Sequence, residues 1–143
     1  MKNILHLIVV IIPVLTGCIS SSKSIKLSGC GTPIPQNVPG LTINGPRTKT
    51  SIIEDMAPIL CAIQFQYIND AKQSAKTHGN DTVPVKVLVE YTGEVAHVTI
   101  LENSFGDNDF IRRIEDIIMN SDFTFWGHDQ QDTEFIYPIP VTQ

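Results

Sequence analysis

Beyond residue 83 the chain alternates apolar and polar positions, changes to a longer period, then alternates again. Val85, Val87, Val89 and Tyr91 alternate with Lys86, Leu88 and Glu90, the two-residue period of a strand with one buried face. Thr92-Gly93-Glu94 follows as a hairpin turn, since Gly93 can take a positive φ. Val95, His97, Thr99 and Leu101 then alternate with Ala96, Val98, Ile100 and Glu102, and apolar residues on both sides mark a central or bulged strand. After the break at Asn103 to Asp107 the period lengthens. Phe110, Ile114, Ile117 and Ile118 form one helical stripe and Arg112, Arg113, Glu115 and Asp116 the watered side, with Asp107 as N-cap and Asp109 in the first turn, where the helix dipole favours a carboxylate. Phe123, Phe125 and Trp126 begin a third strand, and 127–132 is a polar loop. Phe135, Tyr137 and Ile139 line one side of a last extended segment, Thr133 to Val141. Pro138 and Pro140 cannot donate to a ladder, which predicts an edge strand. Such an edge makes Phe135, Tyr137 and Ile139 candidate partner-binding residues by strand addition; the same prolines read equally well as a block to such pairing.

Upstream, Ile52, Met56, Ile59, Leu60, Ile63, Tyr67 and Ile68 recur at helical spacing, which predicts a helix over 51–77. Ser51 and Glu54 have capping-box spacing, and Gly79-Asn80-Asp81 ends the segment. Pro58 either kinks this helix or places its start near Asp55. The order is thus α-β-β-α-β-β, an α+β two-layer sandwich with helices on one face of an antiparallel sheet, over residues 50–141. Residues 18–49 are rich in Gly, Pro and Ser and read as a tether, although Leu41 to Ile43 is apolar enough to lie along the domain. Residues 1–17 form a signal peptide: Lys2, then an apolar run from Ile4 to Leu15 too short to span a bilayer. Leu15-Thr16-Gly17-Cys18 resembles the bacterial lipobox, which implies cleavage before Cys18 and acylation of that residue. No Asp follows Cys18, so the resemblance points to the outer membrane, facing the periplasm.

Charge and cysteine content narrow the chemistry. The 143-residue chain has a net charge of −5, and loss of the leader with its single Lys2 takes this to −6. No basic run exists to neutralise phosphates, so no nucleic-acid partner is expected. Of the three cysteines, Cys30 and Cys61 remain once Cys18 is acylated. In an oxidising compartment they form a disulfide that pins the tether to the domain, or Cys61 packs as a small apolar side chain. No catalytic, metal or cofactor constellation emerges, so no enzymatic activity is expected. His97 reads as a sheet residue, and His128, Asp129 and Asp132 as a solvated loop tip before a weak metal site. Ser104-Phe105-Gly106-Asp107 lacks the flanking glycines of a nucleophile elbow.

One set of motifs resembles a family. Tyr91-Thr92-Gly93-Glu94-Val95, Val98-Thr99-Ile100, Ser104-Phe105-Gly106-Asp107, the stripe Phe110, Ile114 and Ile118, Asp122-Phe123 and Tyr137-Pro138-Ile139 resemble the C-terminal domain of TonB-like proteins, of the AgmX/PglI type. The resemblance covers residues 50–141. It implies a helix followed by β-β-α-β(-β), and a periplasmic module that binds an envelope protein partner by strand addition. A module holding peptidoglycan or a small ligand is the alternative. Three departures stand out: Asp122 occupies the position of the family's Trp, the second helix has no Cys to partner Cys61, and a lipid anchor replaces the N-terminal membrane helix.

Overall fold

A computed structural model describes residues 30–74, 81–103, 106–127 and 130–141. Six elements form in the order β1 (Thr42–Asn44), α1 (Lys49–Ser74), β2 (Asp81–Val89), β3 (Val95–Ile100), α2 (Asn108–Met119) and β4 (Thr133–Val141). The strands make one antiparallel sheet in the order β1-β4-β2-β3. The α+β class with an antiparallel sheet is therefore as expected, and α1-β2-β3-α2-β4 follow in the expected order; the differences are a strand before α1 and one strand instead of two after α2. The folded unit reaches back into the stretch taken as tether, and its first strand is the segment marked as apolar there.

Both helices cover one face of the sheet. Val83, Val85, Val87 and Val89 of β2 and Phe135, Tyr137, Ile139 and Val141 of β4 are buried against Ile52, Met56, Ile59, Ile63 and Tyr67 of α1 and Phe110, Ile111, Ile114 and Ile118 of α2. Each such side chain contributes about 1.5–3 kcal/mol by leaving water, which makes this face the main source of stability. Alternation sends Pro84, Lys86, Leu88, His97, Thr99, Glu134, Ile136 and Pro138 to the opposite face, where all are half-buried or exposed.

Local chemistry sets the element ends. Asp107 caps α2, accepting from the N–H groups of Asp109 (3.1 Å) and Phe110 (3.0 Å), as expected. The α1 cap is Thr48, not Ser51: the Ser51 N–H donates to Thr48 Oγ1 at 3.1 Å, and the Ser51 hydroxyl donates to the Thr48 carbonyl at 2.9 Å. Pro58 lies inside α1 with its ring exposed to solvent, so the reading that starts the helix near Asp55 is set aside. The expected end of that helix at 75–77, and Gly79-Asn80, lie outside the described residues.

The β2–β3 hairpin closes as anticipated, with the Gly93 N–H donating to the Glu90 carbonyl at 3.0 Å. Gly93 has φ +101°, and a Cβ there would lie 2.1 Å from the Phe123 carbonyl oxygen, so only glycine fits. That close approach replaces the expected third strand. Residues 123–126 run beside the turn, held by Phe123 N–H to Gly93 carbonyl (2.9 Å) and Trp126 N–H to Tyr91 carbonyl (2.8 Å), without joining the sheet. A disulfide joins Cys30 to Cys61 on α1, with Cα atoms 5.8 Å apart. Among the described residues, no helix is long and apolar enough to cross a membrane.

Candidate interaction surface

The three β4 side chains singled out from the sequence are core residues. Phe135, Tyr137 and Ile139 are at most 1% exposed, and burial raises the Tyr137 hydroxyl above its ordinary pKa. Nor is β4 an edge strand: β1 lies on one side of it and β2 on the other. The reason its prolines are tolerated lies in register. The Leu101 N–H donates to the Pro84 carbonyl at 2.9 Å, so Pro84 turns its backbone polar groups toward β3. These groups alternate sides along a strand, so Val85 bonds its β4 partner Tyr137, and Pro138 and Pro140 turn their nitrogens away from β2. On that side β1 pairs only with Glu134, Phe135 and Ile136. The prolines stand past the end of β1, where the β1–β4 ladder requires no N–H.

The other side of the sheet ends in β3. The same alternation turns the N–H and carbonyl groups of Val98 and Ile100 away from β2, and among the described residues no strand pairs with them. Strand β3 reads Val-Ala-His-Val-Thr-Ile, without the Lys or Pro that blunts many natural edges. Val98 packs into the core, whereas Ala96 and His97 are exposed. Two large apolar side chains are exposed near its ends: Leu101 (48%) follows β3 in sequence, and Phe125 (67%) stands beside Tyr91 at the β2–β3 turn. Phe125 is exposed but seated. Its ring stands edge-on to Tyr91 with centroids 6.5 Å apart, and it lies so close over Gly127 that a Cβ there would be 2.1 Å from the ring.

One buried ion pair fixes both sides. Arg47 is 3% exposed; its guanidinium donates to Asp55 (3.5 Å), to the Thr124 carbonyl (2.7 Å) and to the Glu90 carbonyl (3.2 Å). Its backbone N–H donates to Thr133 Oγ1 at 3.4 Å, and the guanidinium lies 5.9 Å from both the Phe123 and Trp126 ring centroids. Asp55 also accepts from the Thr124 hydroxyl (2.6 Å) and N–H (3.2 Å). Burial lowers the Arg47 pKa from its ordinary value, and the Asp55 carboxylate opposes that shift. The cluster thus ties the exit of β1, the first turns of α1, the β2–β3 turn and the start of β4 together. Nothing in the sequence marks it: a lone Arg between Pro46 and Thr48 gives no periodic signal.

The remaining polar candidates have structural partners. Asp107 caps α2, Asp109 pairs with Arg112 at 3.3 Å, and Asp132 accepts the Tyr91 N–H at 3.2 Å. Among the described residues, no group of three His, Cys, Asp or Glu side chains is placed to hold a metal. Cys18, His78, Ser104, Phe105, His128 and Asp129 lie outside the described residues. No protein-family model matches this chain, and no curated protein or solved structure is a significant match to it.

Proposed function

We propose that this chain is an envelope lipoprotein, acylated at Cys18, whose TonB-C-like periplasmic domain binds an extended segment of a partner protein along β3. The observation that carries this is the β3 edge, with which no strand among the described residues pairs: the backbone groups of Val98 and Ile100 are directed outward, and β3 itself has no Lys, Arg, Asp, Glu or Pro. The lipobox at Leu15 to Cys18 supports the anchor, and the motif resemblance supports strand addition as the mode of contact. A partner strand laid antiparallel or parallel to β3 gains main-chain hydrogen bonds. The exposed Ala96 and His97 and the seated Phe125 supply the side-chain contacts that select it.

The test is crosslinking and pull-down from membranes with wild type and Ile100→Pro. That substitution removes an outward N–H and leaves the ladder to β2 intact, but the half-buried Ile100 side chain packs on the core, so Ile100→Ala is the control for lost packing: both variants should melt earlier, and only Ile100→Pro should lose a stoichiometric partner. Equal capture by wild type and Ile100→Pro would exclude β3 as the docking edge. A second reading, a module that holds peptidoglycan, draws on the exposed aromatic face of Phe125 beside Tyr91. Co-sedimentation with purified peptidoglycan that disappears in Phe125→Ala would favour it.

A further inference from the structure

Helix α1 has two apolar faces, and the described residues cover only one. Ile52, Met56, Ile59, Ile63 and Tyr67 point into the core. Pro58, Ala62, Phe65 and Ile68 point out, with Phe65 at 68% and Ile68 at 40% exposure. From Met56 to Asn69 the helix contains no Asp, Glu, Lys or Arg, in a chain that is 17% charged. A solvent-facing helix surface ordinarily carries charge over such a length.

The disulfide gives this face a direction. Cys61, Phe65 and Ile68 stand at i, i+4 and i+7, on one side of the helix. Cys30 is bonded to Cys61, so the chain leading back to Cys18 leaves the domain from that side. Eleven residues, 19–29, separate Cys18 from Cys30. Even fully extended, that length bridges at most ~40 Å. Phe65 and Ile68 lie within about 10 Å of Cys61 along the helix axis.

We propose that the exposed face of α1, centred on Phe65 and Ile68, docks on the lipid bilayer that holds the acylated N-terminus. This rests on acylation of Cys18. The short leash holds the domain at the bilayer surface, and the disulfide turns the uncharged face of α1 toward it. Phe65 and Ile68 enter the acyl–headgroup boundary, as the apolar side of an interfacial helix does. The β3 edge, on a different element, stays available to a partner.

The experiment places the acylated chain in vesicles of phosphatidylethanolamine and phosphatidylglycerol, with either ordinary or brominated acyl chains, and compares Phe65→Trp with wild type, whose single tryptophan is Trp126. Bromine quenches tryptophan only at contact. The expected result is about a twofold loss of the emission added by Phe65→Trp in brominated vesicles, with the wild-type signal unchanged. Equal emission in the two vesicle types overturns the proposal. If that result comes with a concentration-dependent dimer, the face belongs to a second copy; without one, it is covered by residues 19–29 of the same chain. The mass of the N-terminal peptide separates the two levels of failure. An acylated but unquenched protein loses the docking alone, and an unacylated protein loses the anchor and the docking together.

Discussion

The two sides of the sheet end in different ways. On the β1 side, three residues of β1 cover the start of β4, and Pro138 and Pro140 occupy the positions past them. A strand arriving there finds a short neighbour and then nitrogens that cannot donate. On the β3 side, six residues run without charge or proline, and alternate backbone groups face outward. The contrast teaches that proline content alone does not locate a binding edge. What matters is the direction in which each nitrogen points, and that depends on register. The β1 side is closed by β1 over Glu134 to Ile136 and by its prolines where β1 stops, while the side without such devices remains open to a partner.

The largest expected effect separates the core face of the sheet from its outer face. Tyr137→Asp places a carboxylate in the core, where no partner awaits it, and should cost more than about 4 kcal/mol, measured as loss of a cooperative denaturant transition. Thr99→Asp, on the outer face of β3, should change stability by no more than about 0.5 kcal/mol in the same assay. Equal effects would mean that Tyr137 does not face the core. Next in size is Arg47→Ala, which leaves Asp55 buried without its cation and loosens both sides at once; the expected loss is about 3–5 kcal/mol. Cys30→Ser opens a crosslink with a sequence separation of 31 and should cost about 2–4 kcal/mol, with no further effect of reductant on the variant. Titration of Tyr137 sharpens the core assignment. Its folded pKa is raised above 10.0, so the stability it contributes is complete below pH 10.0 and is lost as pH rises through the folded value. In Tyr137→Phe the latest step in the alkaline absorbance titration should disappear. A small effect on stability, under about 1 kcal/mol, is expected for Pro138→Val combined with Pro140→Thr. That variant restores two outward N–H groups and should self-associate at high concentration, as seen by light scattering.

How much of this was legible in the sequence depended on distance along the chain. The β2–β3 hairpin and α2 were readable because alternation, a Gly turn and an Asp cap are local signals. β1 was not, since Thr42-Ile43-Asn44 acquires strand geometry only by pairing with Glu134 to Ile136, far along the chain. Its neighbour Leu41 to Ile43 was marked as apolar, and the pairing partner was the missing part. Phe123 and Phe125 alternate like a strand, yet Phe123 enters the core and Phe125 turns out over Gly127 because the segment leaves the sheet. Phe135, Tyr137 and Ile139 were correctly seen to share one side, but that side faces the helices. β3 was read as central or bulged because apolar residues alternate onto both its faces, and its pairing with β2 does shift register between Leu88 and Val89. That irregularity sets Val95 opposite Val89 on the same face as Val98 and Ile100, while the edge position of the strand is not visible in hydropathy.

The bond between Cys30 and Cys61 also decides how the molecule bears load. A pull on the N-terminal end enters the fold at Cys30 and passes through the disulfide into the middle of α1. Residues 31–60 are then out of the force path, β1 and Arg47 among them. Without that bond the same pull would reach β1 first and peel its short ladder from β4 one hydrogen bond at a time, as a zip opens. With it, tension falls on a helix packed along its length, and the weakest joint of the sheet is left slack.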